Sequence, residues 1–144
     1  MNEQPKIIDP IVEKWKENYK RNLEEGVFTR PNFRYLKFLI NGSFYNKIPC
    51  VLVAAGPSLE KNIHILKQYS ENYLIICADV VLYRLMEEGI HPDFVCTIDP
   101  NDSFSRFWKG VDTSNCNLIC PTTVSSIALN EWKGNVFFFN ETDK

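Results

Sequence analysis

The chain has 144 residues and a mass of 16.8 kDa, which is the length of one ordinary domain. Hydrophobic residues make up 44% of it and charged residues 24%, a composition that excludes wholesale disorder. Lys and Arg number 16 against 18 Asp and Glu, for a formal net charge of -2 at pH 7. This balance argues against a protein that holds nucleic acid by bulk positive charge.

Targeting and redox features predict a cytoplasmic protein. No apolar run approaches the roughly 20 residues that a bilayer span needs, and Met1–Pro10 lacks the layout of a signal peptide. The cysteines number 5, an odd count, and several of them sit inside apolar runs where a thiol behaves as a small hydrophobe. We therefore expect neither a membrane nor a nucleic acid among the partners.

The first 45 residues are predicted to form a helical arm. In Asp9–Gly26, Asp9 suits the N-cap, Pro10 the first helical position and Gly26 the left-handed exit. The apolar residues between them recur at helical spacing, which predicts one packing face. A second amphipathic segment, Asn32–Ile40, is also predicted to be helical.

Residues 46–144 change to short apolar runs separated by helical stripes. We expect five runs to be strands covered on both faces: Val51–Ala55, Tyr73–Cys77, Phe94–Ile98, Asn117–Cys120 and Val136–Phe139. This alternation predicts a Rossmann-like, three-layer α/β domain with a mainly parallel sheet and right-handed crossovers. Too few residues follow the fifth run for a covering helix, so we expect the N-terminal part of a larger domain.

The turn after the first run is a candidate phosphate site, because open α/β sheets bind ligands at the carboxyl ends of their strands. Gly56 would let the backbone approach a ligand, Pro57 would stiffen the turn, and Ser58 would offer its hydroxyl. The helix behind them would direct unpaired amides at an anion. The alternative is that Ser58 caps the helix and Gly56 serves the turn, since a dinucleotide fingerprint has three glycines.

Two acids follow the next two runs. Asp79 lies 23 residues after Gly56, where such folds often bind a ribose hydroxyl, but it could equally hold a metal or cap the following helix. Asp99 ends the third run, and Pro100 after it excludes a helix interior. Together, Asp79 and Asp99 could share a Mg²⁺ ion that bridges to a pyrophosphate.

The remaining polar candidates have weaker signals. Thr122 and Thr123, in a hydroxyl-rich loop after the fourth run, could bind ligand oxygens or only solvate the backbone. Asp102 is interpreted as a cap for the next helix. Asp93 precedes a strand and so lies at the wrong end of the sheet, where it is expected to stabilise a turn.

An ordered set of motifs resembles a known group of proteins. The string Pro49–Ile63 resembles that of the motility-associated factor (Maf) proteins and is similar to the related 6-hydroxymethylpterin pyrophosphokinase-like (MptE-like) domains. The segments Cys77–Asp79, Gly89–Asp93 and Thr97–Pro100 agree with it in order, and the similarity covers about Asn32–Asp102.

The resemblance implies a nucleotide-binding transferase in which Gly56, Pro57 and Ser58 face a phosphate and Asp99 is the candidate catalytic residue. Maf proteins are associated with transfer of a nonulosonic acid, such as pseudaminic or legionaminic acid, from its CMP form to Ser or Thr of flagellin. The pyrophosphokinase branch would instead hold ATP and Mg²⁺, with Asp79 and Asp99 as the acids. A third reading is a non-catalytic nucleotide-binding or flagellin-interaction module. No general base can be mapped from the motifs.

Overall fold

The computed structural model describes residues 9–37 and 48–140, whose strands form a six-stranded parallel sheet. The strands are β1 (Phe33–Tyr35), β2 (Cys50–Val53), β3 (Leu74–Ala78), β4 (Phe94–Cys96), β5 (Asn117–Pro121) and β6 (Asn135–Phe139). The α-helices are α1 (Pro10–Glu24), α2 (Pro57–Tyr69), α3 (Leu82–Glu87) and α4 (Ser126–Leu129). Short 3₁₀ helices cover Val27–Thr29, Ser70–Asn72, Asp79–Val81 and Asp102–Phe107. Every helix described is too short or too polar to cross a lipid bilayer.

The order of the strands is β1-β6-β5-β4-β3-β2, and every described pairing is parallel. The predicted α/β fold is therefore confirmed, and all five predicted runs contain a strand. The third is shorter than expected, because β4 ends at Cys96 rather than Ile98.

The predicted start of α1 is confirmed. The Asp9 carboxylate accepts a hydrogen bond of 3.0 Å from the backbone N–H of Ile11, and Pro10 is the first helical residue. Gly26 follows the helix with a left-handed φ of 61°, where an L side chain would be strained. Local chemistry alone thus determines both ends of this helix.

The helix predicted over Asn32–Ile40 is wrong at its start. Phe33–Tyr35 forms β1 instead and pairs with β6, where Phe33 lies opposite Val136. The ring of Phe33 packs 5.5 Å from that of Phe138, so burial against a distant strand overrides the local helical pattern. Residues 38–40 and the predicted domain boundary between residues 45 and 46 lie outside the described residues.

The two faces of the sheet differ in burial. Ile75, Val95 and Leu118 lie on one face, are almost fully buried, and belong to the main hydrophobic core together with residues of α2, α3 and α4. On the other face Leu52 is 78% exposed, and Ile119 is half-buried. The expectation that every strand is covered on both faces is thus wrong for β2, because the Leu52 side chain is exposed on the face opposite the core.

The segment after β4 is anchored in the core. Phe104 and Trp108 are buried, and their rings lie 4.7 Å apart in an edge-to-face arrangement. Trp108 also packs against Trp132 at 5.1 Å. This aromatic cluster holds the chain that follows Asp99 against the body of the domain.

Candidate functional site

The strand order brings three predicted ligand-binding segments to one edge of the sheet. In the parallel register, Val53 of β2 pairs with Cys77 of β3, and Ala78 of β3 pairs with Cys96 of β4. The residues that follow these strands therefore lie side by side at the carboxyl edge, where open α/β sheets bind ligands.

Asp79 and Asp99 line the same cavity, which has a volume of about 360 Å³. We call it the acid cavity. Thr97 contributes a hydroxyl and Phe107 an aromatic ring to its wall. The guanidinium of Arg106 lies 4.7 Å from the centre of the Phe107 ring, a cation–π distance. The two acids that the sequence nominated as a pair are thus brought together.

Short loops hold these carboxylates. Asp79 Oδ1 accepts a hydrogen bond of 2.7 Å from the N–H of Val80, and no side-chain bond caps the 3₁₀ helix or α3. Asp99 Oδ1 accepts from the backbone N–H of Asn101 at 2.9 Å and from its side-chain amide at 2.6 Å. This Asx turn orders the loop, and no hydrogen bond from a described residue reaches Asp99 Oδ2. The second carboxylate oxygen of Asp99 is therefore available for a ligand.

The charge of the acid cavity limits what it can bind. Two carboxylates and no basic side chain line it among the described residues, so a bare phosphate would be repelled. Mg²⁺ typically takes one or two carboxylates and completes its octahedron with phosphate oxygens and water. Asp79 and Asp99 fit this pattern, and no group of three or more His, Cys, Asp or Glu forms in the described ranges. Phosphates and water would have to supply the other ligands.

The cysteines near the acid cavity are not nucleophiles. Burial raises the pKa of the Cys77 thiol to about 12, with smaller contributions from Cys116, Cys96 and Asp79. Burial, and then the charge of Asp79, also raises the pKa of Cys96, which lines the cavity. Both thiols stay protonated at neutral pH, so thiolate chemistry is not expected here.

Ser58 lies apart from the two acids. It is exposed in the first turn of α2 and lines a separate cavity of about 210 Å³ with Ala54 and Asn62. Gly56 is the N-cap residue, and no side-chain hydrogen bond caps α2, so the alternative that Ser58 caps the helix is wrong. A Cβ on Gly56 would meet only Ser58 Oγ, at 3.9 Å, which leaves the open space that phosphate binding needs. Phosphate binding by Gly56, Pro57 and Ser58 stays a prediction.

Thr122 and Thr123 lie against α1 and do not line the acid cavity. They line a third cavity, of about 310 Å³, with Trp15, Lys16 and Tyr19 of α1 and with Asn140. We call it the α1 cavity. The backbone N–H of Thr122 donates to Phe139 O at 3.0 Å, so this loop continues the pairing of β5 with β6. Ligand binding by the two threonines also stays a prediction.

Comparison with known proteins places this arrangement in a family. A family model described as 6-hydroxymethylpterin diphosphokinase MptE-like matches residues 13–144. The chain belongs to this MptE-like family. The resemblance drawn from the motifs is therefore confirmed, and the matched range includes the acid cavity as well as most of α1.

Two further proteins are similar to the MptE-like chain. An uncharacterized protein of Treponema pallidum (strain Nichols) is 33% identical over 70 residues, which are 47% of this chain and 33% of that protein. The structure of a Maf glycosyltransferase from Magnetospirillum magneticum AMB-1 matches with a TM-score of 0.56 and 20% identity, over 65% of this chain and 16% of that one. The MptE-like chain thus shares its fold with part of a Maf glycosyltransferase and spans a third or less of either relative.

Two buried asparagines in α1 of the MptE-like chain were missed by the sequence analysis. Asn18 Nδ2 donates to Pro100 O at 2.8 Å and to Thr123 O at 3.0 Å. Asn22 Nδ2 donates to Thr122 O and Val124 O, both at 2.9 Å. Both side chains are fully buried. Asn18 thus joins the loop that carries Asp99 to the loop after β5, and Asn22 holds the latter loop to α1.

The apolar stripe of α1 misled the sequence analysis. Tyr19 and Leu23, which belong to that stripe, are 42% and 55% exposed, whereas Asn18 and Asn22 are buried. The loop carbonyls need donors once they are buried, and amides at i and i+4 supply them from one helix face. The spacing of Asn18 and Asn22 was a detectable signal, since Asn is unfavourable inside a helix unless its side chain has a partner.

The other two acids have structural roles in the MptE-like chain. Asp102 accepts a hydrogen bond of 2.7 Å from Ser125 Oγ and pairs with Lys14 and Arg21 of α1 at 3.8 Å. Asn101 rather than Asp102 is the N-cap of the following 3₁₀ helix, so the predicted cap is wrong. Asp93 lies at the amino edge as expected, but its Oδ2 accepts from the N–H of Ile75 in β3 at 2.8 Å, so it bonds to the neighbouring strand rather than stabilising a turn.

Proposed function

We propose that this chain is the nucleotide-binding part of a group-transfer enzyme and that the donor occupies the acid cavity with a Mg²⁺ ion. One observation carries the proposal: Asp79 and Asp99 line a single cavity that no described basic residue lines. A phosphorylated donor enters such a cavity only with a cation, and Mg²⁺ bound through carboxylates is the usual solution.

Each residue of the site has a proposed role. Asp79 and Asp99 would hold the cation, which would neutralise the phosphate charge when bound. The Thr97 hydroxyl would donate to a phosphate or ribose oxygen, and the Phe107 ring would stack on the base. Gly56, Pro57 and Ser58 would take a second phosphate at the N-terminus of the 13-residue helix α2. Asp99 is the proposed catalytic residue, because its Oδ2 would bind the cation beside the reacting phosphate.

The first candidate reaction is glycosyl transfer from a CMP-activated nonulosonic acid to Ser or Thr of flagellin. Its support is the fold that the chain shares with a Maf glycosyltransferase, together with the motif resemblance. The bond between the anomeric carbon and the CMP phosphate oxygen would break, and the hydroxyl oxygen of Ser or Thr would bond to that carbon. Its proton would pass to water, and CMP would leave.

The second candidate reaction is diphosphate transfer from ATP to 6-hydroxymethylpterin. Its support is the family, whose description names this activity, and a pair of acids that suits Mg²⁺-bound ATP. The pterin hydroxyl oxygen would bond to the β-phosphorus of ATP, and the bond from that phosphorus to the oxygen bridging to the α-phosphorus would break. AMP would leave, and the hydroxyl proton would pass to water.

Calorimetric titration with CMP and with ATP, each with and without Mg²⁺, tests the proposal and separates the donors. Asp79→Asn and Asp99→Asn keep side-chain size and remove the charge, so each should lower Mg²⁺-dependent affinity by about tenfold or more. Asp112→Asn is the matched control, because Asp112 is an exposed acid that does not line the cavity. Binding that needs no Mg²⁺, or that survives both cavity variants, would contradict the proposal.

A further inference from the structure

The α1 cavity is separate from the proposed donor site. It shares no lining residue with the acid cavity and lies between α1 and the segments that follow β5 and β6. Its volume of about 310 Å³ is at the small end of ligand pockets in proteins. The proposed function assigns it nothing.

The walls of the α1 cavity are held in place before any ligand arrives. Three hydrogen bonds from the buried amides of Asn18 and Asn22 tie α1 to the loop that carries Thr122 and Thr123, and a fourth, from Asn18, ties it to Pro100 O. The Tyr19 ring lies 6.1 Å from that of Phe28, which is itself packed against the core. A preformed wall lowers the entropy cost of binding, as in most small-molecule sites.

Aromatic rings dominate this wall. Trp15 and Tyr19 stand one helical turn apart on α1, and both line the cavity. The other two tryptophans, Trp108 and Trp132, are only 2% and 4% exposed and pack in the core. Rings at this spacing favour a flat, aromatic ligand over a globular aliphatic one.

Two lining residues also carry polar atoms that lack a partner. The indole N–H of Trp15 and the hydroxyl of Thr123 are buried and make no hydrogen bond within residues 9–37 and 48–140. The indole is a donor only, whereas the hydroxyl can rotate and either donate or accept. Both atoms have practically no accessible surface, so neither is placed to bond to a ligand in the cavity.

A positive charge stands at the edge of the cavity. Lys16 lines it, and its Nζ is paired with Glu13 Oε1 at 3.0 Å, with both side chains largely exposed. An exposed pair of this kind contributes little, so the ammonium group can turn to an anionic substituent at small cost. Glu13 does not line the cavity and would compete with such an anion for Lys16.

From these observations we infer that the α1 cavity is a binding site for a planar aromatic anion. The ring lies against Trp15 and Tyr19, and its carboxylate or phosphate pairs with Lys16. This site shares no lining residue with the donor site. A failure to detect nucleotide binding at Asp79 and Asp99 would therefore not contradict this inference.

The indole N–H resonances of the ¹⁵N-labelled chain provide the test. Quinoline-2-carboxylate is the probe, with neutral quinoline and non-aromatic cyclohexanecarboxylate as matched controls. We expect quinoline-2-carboxylate to shift the Trp15 resonance saturably, with those of Trp108 and Trp132 unmoved, and cyclohexanecarboxylate to leave all three in place. Trp15→Phe assigns the resonance by removing it. A Trp15 resonance that does not move, or moves without saturation, would overturn the inference.

Charge variants sharpen the test. Lys16→Gln should lower the affinity for quinoline-2-carboxylate about twofold to fivefold, which is the range of an exposed ion pair. The affinity for neutral quinoline should not change. Glu13→Gln should raise the affinity for quinoline-2-carboxylate by a similar factor, because it removes the carboxylate that pairs with Lys16. Lys20→Gln is the control on the same helix, since Lys20 does not line the cavity and pairs with Glu24 instead. Equal weakening of both probes by Lys16→Gln would refute a charge contact, provided urea unfolding shows the variants to be as stable as the parent.

Discussion

The two edges of the sheet are built in opposite ways. At the amino edge the segments touch directly: Asn32 Nδ2 donates to Gly134 O at 2.8 Å, and Asp93 receives the N–H of Ile75. At the carboxyl edge the acid cavity and the α1 cavity lie open, whereas the cavity beside Ser58 is lined by β2 and α2 along their length. Parallel sheets bind ligands at the carboxyl edge. Substitutions at that edge should therefore change ligand affinity, whereas those at the amino edge should change the free energy of unfolding.

The largest effect is expected at the amino edge, from Gly134→Ala. A Cβ at this position would overlap the carbonyl oxygen of Cys116 and lie 2.5 Å from that of Thr113. Both obstacles are backbone atoms that cannot rotate away, so we expect a loss of about 3 kcal/mol in the free energy of unfolding. Urea denaturation measures it, and a variant as stable as the parent would show that this edge is less tightly packed than described.

Asn22→Ala tests the part of the carboxyl edge where α1 is hydrogen-bonded to the loop after β5. It removes two buried hydrogen bonds and leaves the carbonyls of Thr122 and Val124 without a donor, at an expected cost of about 2 kcal/mol. Asn62→Ala is the control, since Asn62 is exposed and makes one bond, to Ser58 O. Equal urea midpoints for the two variants would mean that α1 does not clamp these loops.

Asp93→Ala should have a smaller effect at the amino edge. It deprives the buried N–H of Ile75 of its acceptor, which we expect to cost about 1 kcal/mol. Asp93→Asn retains a carbonyl oxygen at the same position and should recover most of the loss. Thermal and urea unfolding compare the two variants. If both are equally destabilised, the prediction is wrong, because the charge of Asp93 rather than its hydrogen bond would then account for the loss of stability.

Gly56→Ala should have the smallest effect on stability and marks the contrast with Gly134. The added Cβ meets only Ser58 Oγ, at ordinary van der Waals distance. The free energy of unfolding should therefore change by less than about 0.5 kcal/mol. The same methyl group would stand where a phosphate approaches α2, so nucleotide affinity measured by calorimetry should fall severalfold. Unchanged affinity would remove Gly56 from the donor site.

The elements with local signals were predictable. The caps of α1 and the continuous apolar runs of β3 and β5 depend on near neighbours in the chain, and the structure confirms them. The meeting of Asp79 and Asp99 was also predictable, because consecutive parallel strands usually lie side by side and their ends then share an edge.

The elements that depend on distant partners were not predictable. β1 has three residues, and its strand character comes from pairing with β6, about a hundred residues later. Thr122 and Thr123 line the α1 cavity rather than the acid cavity because α1, about a hundred residues earlier in the chain, packs beside their loop. Neither the pairing of β1 with β6 nor the packing of α1 beside the loop after β5 can be predicted from a short window of sequence.

By itself, the order of residues in this chain determined its alternating helices and strands, its family and the pair of acids at the strand ends. Those features arise from hydrophobic periodicity and turn chemistry, which act over a few residues. Only the tertiary structure decided that Asn18 and Asn22 face inward, that Ser58 stands apart, and that α1 closes an aromatic cavity over β5 and β6. The reason is that buried carbonyls must find donors and long-range packing chooses which side chains supply them.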